Sequence, residues 1–172
     1  MNNPNTREVP SWDEYFMMIA MTTAFRSKDP RTQVGAIIVN SEKHIVGTGY
    51  NGFAPGYPDT PESWERSKKH SRVIHAERNA ILHSHGSISG TCLYTTLSPC
   101  LECAKSIVAS KVSKVLYLTD REVNADSLVF LGECGVTTER LTPTGIFWWD
   151  LSNKFLEKTV NSLTLNNMEI KK

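Results

Sequence analysis

The chain has 172 residues, a formal net charge of +1, and hydrophobic and charged contents of 40% and 22%. This length suits one ordinary globular domain and is too short for two comfortable ones. The near-neutral charge gives no support to a polynucleotide partner, which would require a basic surface. No apolar run approaches membrane-spanning length and no secretory signal pattern opens the chain, so we expect a cytoplasmic protein without membrane contact.

The first half of the chain predicts a helix, a hairpin and a long loop. Ser11 and Glu14 form a capping box, and the helix that follows is apolar nearly all round, so we expect it to be buried. Two β-rich runs at 34–39 and 45–50 flank a polar turn, which is typical of a hairpin. The Pro-rich segment 53–72 is predicted to be a loop that covers a site or contacts a partner subunit.

Two features of this half have ordinary interpretations. Gly47 and Gly49 lie in the second strand without a third glycine or a following helix, so they indicate close packing rather than a nucleotide-binding loop. The basic residues Lys68, Lys69 and Arg72 in the long loop are, by themselves, more typical of solvated surface.

The second half of the chain alternates helices with strands. Helices are predicted at about 75–85, 100–110, 126–134 and 147–163, and strands at 91–97, 112–119 and 136–141. Strand–helix–strand succession predicts parallel pairing. The whole pattern predicts a three-layer α/β/α fold, with a five-stranded mixed sheet and helices on both of its faces.

Three side chains with metal-binding atoms stand near a carboxylate in this half. His75, Cys100 and Cys103 together are a ligand set that suits zinc. A structural zinc site takes a fourth protein ligand, whereas a catalytic site leaves that position to water. Glu77, two residues after the histidine, is a candidate general acid/base. The set therefore predicts a hydrolytic zinc site.

The spacing of these residues predicts that they lie at two helix N-termini. Ser98 and Pro99 favour a helix start, with Ser98 as the cap, which places Cys100 and Cys103 on one face of the first turn. At the start of a helix His75 need not be helical, so it can face the same cavity as its neighbouring carboxylate. Ordinary core or redox residues are the alternative interpretation, but zinc deaminases carry this order of residues, with the Glu outside the ligand set.

Further blocks of sequence narrow the choice of family. They are Trp12–Met17, Arg26–Pro30, Gln33–Ala36, Gly49–Gly52, His75–Ile81 and Ser98–Lys105. With these blocks the chain resembles the deoxycytidylate (dCMP) deaminase family of the cytidine deaminase superfamily, over roughly residues 10–142. The zinc motif alone fits the whole superfamily. The Arg-Ser-Lys-Asp-Pro and Gly-Tyr-Asn-Gly blocks and the insert before His75 indicate the dCMP deaminases.

This resemblance implies a cytidine deaminase-like fold in one domain over 1–172, with a catalytic core at about 10–142 and a C-terminal extension at 143–172. It also implies zinc-dependent hydrolytic deamination of dCMP to dUMP and ammonia, which supplies dUMP for thymidylate synthesis. One zinc ion per subunit would be held by His75, Cys100 and Cys103, with Glu77 as the catalytic proton carrier.

The resemblance also implies contacts with the nucleoside. Backbone groups at Ala76 and Ser98 should bind the edge of the base, and Asn51 should contact the sugar 3′-hydroxyl. Asp120, which follows a predicted strand, should line the pocket as in related deaminases.

A mononucleotide substrate also carries a phosphate that needs positive charge. Arg26 and Lys28, near the end of the first helix, are the expected phosphate ligands. Weaker candidates are Arg31, Arg72 and Arg121.

Members of the resembled family are homohexamers that dCTP with Mg²⁺ activates and dTTP inhibits. Their effector site involves the Gly-Tyr-Asn-Gly segment at subunit interfaces. If this carries over, Gly49, Tyr50, Asn51 and Gly52 bind the effector, and Mg²⁺ binds only together with that triphosphate. Because Asn51 belongs to this segment, effector binding would then be coupled to the residue that contacts the sugar.

Three other functions remain open from the residues alone. A tRNA adenosine deaminase shares the zinc motif, but the near-neutral charge and the long insert argue against it. A deaminase of free nucleosides or bases would not need Arg26 and Lys28. A non-catalytic zinc module would need a fourth ligand, which Glu77 would have to supply.

Overall fold

A mixed sheet lies at the centre of the fold. The computed structural model describes residues 9–121 and 124–142, and its strands are β1 (Gly35–Val39), β2 (Ile45–Tyr50), β3 (Gly52–Phe53), β4 (Val73–Ile74), β5 (Cys92–Leu97), β6 (Lys114–Thr119) and β7 (Thr137–Arg140). Five of them form one sheet in the order β2-β1-β5-β6-β7, while β3 and β4 pair separately. β1 is antiparallel to β2 and β5, whereas β5, β6 and β7 are parallel. The predicted hairpin and parallel pairing are confirmed.

Helices cover both faces of this sheet, as predicted. The described helices are α1 (Trp12–Ala24), α2 (Arg66–Arg72), α3 (Ala76–Leu82), α4 (Leu101–Ala109) and α5 (Ala125–Glu133), and all of them except α2 pack on the sheet. Successive residues of β1 alternate between two hydrophobic clusters: Ala36 and Ile38 pack with α3, α4 and α5, and Ile37 and Val39 pack with α1. Because side chains alternate between the faces of a strand, the two clusters lie on opposite faces of the sheet.

Helix α1 begins at the predicted capping box. The backbone N–H of Glu14 donates to Ser11 Oγ at 3.2 Å, and the backbone N–H of Ser11 donates to Glu14 Oε2 at 2.8 Å. The expectation of a buried helix holds for one side only, because Trp12 and Tyr15 are 57% and 43% exposed. The sheet covers one side of α1, and these two rings lie on the other.

The segment 53–72, predicted as a loop, contains regular structure. It forms a 3₁₀ turn at Pro61–Trp64 followed by α2, and the Phe53 ring packs against those of Tyr57 and Trp64, with centroids 4.8 and 4.3 Å away. All seven residues of α2 remain at least partly exposed. Because helix prediction relies on apolar periodicity, a helix made of polar residues escapes it.

Gly47 and Gly49 allow α3 to lie directly against β2. A Cβ at Gly47 would come within 2.6 Å of the Ala80 carbonyl oxygen, and one at Gly49 would overlap backbone atoms of Ala76 and Ala80. The interpretation of these glycines as close-packing residues is therefore confirmed. They also determine how near the N-terminus of α3 comes to the sheet.

The C-terminal helix predicted at 147–163 lies outside the described residues, as does the rest of the extension at 143–172. Across the described ranges, every helix is too short or too polar to cross a bilayer.

The contact between α3 and β2 generates a stability prediction. Gly49→Ala should lower the free energy of unfolding by about 3 kcal/mol, because the added methyl group meets backbone atoms that cannot rotate away. Urea unfolding followed by circular dichroism measures this change.

Gly132→Ala is the matched control, since the surroundings of Gly132 in α5 are open. There the same change should be neutral or stabilise by about 0.5–1 kcal/mol, because alanine favours helix more than glycine does. Equal effects at the two positions would contradict the packing account.

Candidate active site

A cavity of about 580 Å³ opens at the sheet edge where β5 and β6 end. Leu97 and Arg121 line it from those ends, and Val34 and Asn51 line it from the start of β1 and the end of β2. The four strands reach one edge because β1 is antiparallel to β5. The volume is within the range of small-molecule sites, and ligands commonly bind outside the carboxyl ends of parallel strands.

Three metal-binding side chains meet at one side of this cavity. The Nδ1 atom of His75 lies 3.4 Å from Sγ of Cys100 and 3.4 Å from Sγ of Cys103, and the three ligand atoms all lie within 4.8 Å of one another. In a tetrahedral zinc site with ordinary Zn–N and Zn–S bonds, a nitrogen and a sulfur ligand are about 3.5 Å apart. The donor set and its spacing therefore fit Zn²⁺.

The two helix starts bring these ligands together. His75 is the N-cap of α3 and Cys100 is the N-cap of α4, both with extended backbone (φ −71°, ψ 156° and φ −77°, ψ 169°). Cys103 lies in the first turn of α4. The prediction of two helix N-termini is confirmed, but Ser98 is not the cap of α4, because that helix begins only at Leu101.

The two thiols differ in their affinity for a proton. Hydrogen bonds with Cys103, and secondly with His75, lower the pKa of the Cys100 thiol to about 3. The hydrogen bond with Cys100, together with burial, raises the pKa of the Cys103 thiol. The hydrogen bond with Cys100 also raises the pKa of His75. The surroundings of Cys100 therefore favour its thiolate, the form in which cysteine binds metal.

Glu77 lies beside the three ligands. Its side chain is 4% exposed, lines the same cavity as His75, and accepts a hydrogen bond from Cys103 Sγ at 3.6 Å. Burial raises the pKa of this carboxyl group, although the nearby His75 opposes the shift. A buried carboxyl group next to a metal-type centre has the position of a general acid/base.

The backbone at Ser98 is held firmly. Its N–H donates to the Thr119 carbonyl at 2.8 Å, its carbonyl accepts from Asn124 Nδ2 at 2.6 Å, and its Oγ accepts from the Arg121 N–H at 3.1 Å. Ser98 and Ala76 are both buried and both line the cavity. The sequence analysis missed Asn124, although a polar residue shortly after a parallel strand is a recognisable signal for a site at this edge.

The amide of Asn51 has a fixed orientation in the cavity wall. Its Oδ1 accepts from the Val34 N–H at 2.7 Å, and its Nδ2 donates to Asp29 Oδ2 at 3.0 Å and to the Thr32 carbonyl at 2.8 Å. Both amide hydrogens are therefore used within the protein. An amide oxygen has two lone pairs, so Oδ1 can still accept a hydrogen bond from a ligand.

The cations expected to meet a phosphate lie elsewhere. Lys28 is 68% exposed and pairs with Asp59 at 2.5 Å, and the Arg26 guanidinium lies over the Tyr50 ring at 5.9 Å. Neither residue lines the cavity. This corrects the expectation from sequence: both side chains have partners that the pattern of residues along the chain could not reveal.

Two other candidates also lie outside the cavity wall. Asp120 is exposed just after β6 and does not line the cavity, although Arg121 does. The Arg72 guanidinium lies over the Tyr57 ring at 5.8 Å.

The segment that was predicted as a loop contributes part of the basic side of the cavity. It supplies Arg66, Lys69 and His70, whereas Arg31 and Arg121, two of the weaker phosphate candidates, line the cavity from other parts of the chain. Lys69 is 15% exposed and pairs with the fully buried Asp29, so its interpretation as solvated surface is wrong. In the sequence, the only signal for a basic cavity wall was the basic run that precedes the metal motif. Where its side chains point depends on helix α2, which was not predicted.

The residues of the site lie mostly within a region that matches a known family. Residues 10–119 match the cytidine and deoxycytidylate deaminase zinc-binding region. A probable deoxycytidylate deaminase of Drosophila melanogaster is 50% identical over 127 residues, which cover 67% of this chain and 63% of that relative's length. The deoxycytidylate deaminase of Homo sapiens is 42% identical over 144 residues, which cover 77% of this chain and 80% of the relative.

Solved structures agree with these sequence matches. The dCMP deaminase from the cyanophage S-TIM5, in complex with dCMP and dUMP, superposes with a TM-score of 0.68 at 30% identity, covering 78% of this chain and all of the other. The matched region of the sequence contains His75, Glu77, Cys100 and Cys103. On the fold, the donor set and these matches, the chain belongs to the zinc-binding cytidine and deoxycytidylate deaminase family.

Proposed function

We propose that this chain is a zinc-dependent dCMP deaminase, which hydrolyses dCMP with one water molecule to dUMP and ammonia and so supplies dUMP for thymidylate synthesis. The observation that carries the proposal is a single cavity with a His-Cys-Cys donor set and a buried glutamate at one side and a group of cations at another. The names of the fly and human relatives, and the nucleotides in the cyanophage structure, point to the same substrate.

The metal and the protein side chains supply different parts of the chemistry. Zinc held by His75, Cys100 and Cys103 supplies Lewis acidity, which makes a water molecule nucleophilic near neutral pH. Glu77 accepts a proton as water attacks C4 of the cytosine ring. The same carboxyl group delivers this proton to ring N3, then takes the remaining proton of that water from the hydroxyl group at C4 and passes it to the departing amino group, so that the net products are a carbonyl group and ammonia.

Backbone groups position the base for this attack. Ala76 is the first residue of α3, and its N–H is among the donors that a helix leaves without an internal partner. The Ser98 carbonyl already accepts from Asn124, which fixes its direction and leaves one lone pair for a base amino group. Asn51, held by three hydrogen bonds, offers its Oδ1 to the sugar 3′-hydroxyl.

The cations in the cavity wall are the proposed phosphate site, in place of Arg26 and Lys28. Charge-assisted hydrogen bonds from guanidinium and ammonium groups to phosphate are short and about twice as strong as neutral ones. The side chains that line the cavity and can form them are Arg31, Arg66, Lys69 and Arg121.

We also propose that the enzyme is a cytoplasmic homohexamer that dCTP with Mg²⁺ activates and dTTP inhibits, with Gly49, Tyr50, Asn51 and Gly52 at the effector site. This rests on the family resemblance and on one connection within the fold. Asn79 Nδ2 of α3 donates to the Tyr50 carbonyl at 2.7 Å, so the effector segment is tied to the helix that carries Glu77. The next residue, Asn51, lines the cavity.

Replacing the proton carrier tests the mechanism. Glu77→Gln should lower kcat for dCMP by about a thousandfold, since general acid–base catalysis contributes about 10²–10⁴, while bound zinc stays unchanged. Glu102→Gln is the matched control, because Glu102 is an exposed acid of the same motif that pairs with Lys105 at 2.6 Å. A Glu77→Gln protein with near wild-type turnover would contradict the role of Glu77 as the proton carrier.

Substrate preference tests the phosphate site. Ultraviolet assays of the zinc-loaded protein should give kcat/KM for dCMP about a hundredfold or more above that for deoxycytidine, because the cations that line the cavity lose a charged partner when the phosphate is missing. Equal rates on the two substrates would contradict phosphate recognition. Deamination of adenosine in tRNA, with no reaction on dCMP, would replace the proposal with the rival function.

Effector titrations test the regulatory part. dCTP with Mg²⁺ should lower the half-saturating dCMP concentration by about fivefold or more, a factor that is usual for allosteric coupling. dTTP with Mg²⁺ should raise that concentration. Mg²⁺ alone is the control. Saturation curves that neither triphosphate changes would remove the regulatory proposal and leave the catalytic one intact.

A further inference from the structure

We infer that Asp29 is a positioning residue: it fixes the Lys69 ammonium group inside the cavity and thereby sets the preference for a 5′-monophosphate over a nucleoside. The inference rests on the proposed deamination of dCMP. It concerns a carboxylate that the catalytic mechanism does not use, and a lysine on a helix that contributes nothing to the hydrophobic core.

All acceptor positions of Asp29 are occupied by the protein. Its Oδ1 accepts from the backbone N–H groups of Arg31 at 2.9 Å and Thr32 at 3.1 Å. Its Oδ2 accepts from Asn51 Nδ2 at 3.0 Å and pairs with Lys69 Nζ. A carboxylate offers about four such positions. Asp29 is fully buried, so its hydrogen bonds go to these four partners and not to solvent.

Lys69 is the partner that the rest of the fold does not hold. The two backbone N–H groups belong to a turn, and Asn51 has two further hydrogen bonds, with Val34 and the Thr32 carbonyl. Lys69 belongs to α2, whose residues are all at least partly exposed. A lysine side chain loses rotamer entropy when it is fixed in one position. The pair with Asp29 offsets that loss and holds the Lys69 side chain, which is 15% exposed, in the cavity wall.

The ammonium group keeps donors for a ligand. Lysine has three N–H donors, and the pair with Asp29 uses one of them. Without the carboxylate, the ammonium would face Arg31, Arg66 and Arg121 in the same wall with no neutralising partner, and we expect it to turn outward to water.

Positioning and simple electrostatics predict opposite results when Asp29 loses its charge. If Asp29 acted only as a negative charge near the phosphate, Asp29→Asn would strengthen binding of a monophosphate. If it positions Lys69, the same variant weakens binding, because the cation leaves the site. The sign of the change therefore separates the two roles.

The test compares binding of dUMP with binding of deoxyuridine to the zinc-loaded protein by calorimetry. The dissociation constant of deoxyuridine divided by that of dUMP measures the phosphate contribution, and any change at Asn51 cancels in this ratio because both ligands carry the sugar. Asp29→Asn and Lys69→Met should each lower the ratio about tenfold, and the double variant should fall no further than Lys69→Met alone.

Matched variants separate this effect from loss of fold. Asp59→Asn removes the exposed pair with Lys28 and should leave the ratio unchanged, since exposed pairs contribute little. Lys69→Arg keeps a cation opposite Asp29 and should keep most of the preference. Should Asp29→Asn fail to fold, as zinc content and circular dichroism would show, Lys69→Met and Lys69→Arg decide the role of the cation.

Two results would overturn the inference. The first is a ratio in Asp29→Asn equal to or above that of the wild type, and the second is a Lys69→Met protein that still prefers dUMP as strongly as the wild type. Turnover of dCMP by the wild type is measured alongside. If it is absent, the proposed function fails separately, and the binding ratio still decides whether Asp29 and Lys69 recognise a phosphate.

Discussion

The close approach of α3 to β2 is the contact on which the site depends. Because Gly47 and Gly49 lack a Cβ, the backbone of α3 rests on the strand, and its first residues reach the sheet edge where α4 also begins. The 3.4 Å separations between His75 Nδ1 and the two sulfur atoms follow from this packing. Catalysis is sensitive to displacements of about 1 Å, so the glycines act on chemistry that they do not touch.

Local patterns predicted the parts of the structure that local interactions build. The capping box at Ser11, the hairpin and the parallel crossover units all carry signals within a short stretch of chain, and all are present. The zinc ligands were predictable because a metal restricts both residue type and spacing. Helix α2 carries no such signal, since a helix held by charge needs no apolar period.

The basic side of the cavity shows why the rest could not be predicted. Arg26 and Lys28 have the right charge and lie near the motif in sequence, but a ring and an exposed carboxylate engage them. Lys69 reaches the cavity only because it pairs with Asp29, forty positions earlier in the chain. Pairs between residues that lie far apart in sequence depend on the complete fold. The residue type alone does not show where its side chain points.

Helix α2 is attached to the protein by a buried ion pair, an aromatic cluster and a short ladder, and not by the two cores on the sheet. Substitutions in it therefore spare the packing that holds the zinc ligands and Glu77. In evolutionary terms, this segment can change length and charge while the hydrolytic centre stays intact. Divergence between deaminases that act on phosphorylated and unphosphorylated nucleosides can proceed by exchanging one surface insert on a constant sheet.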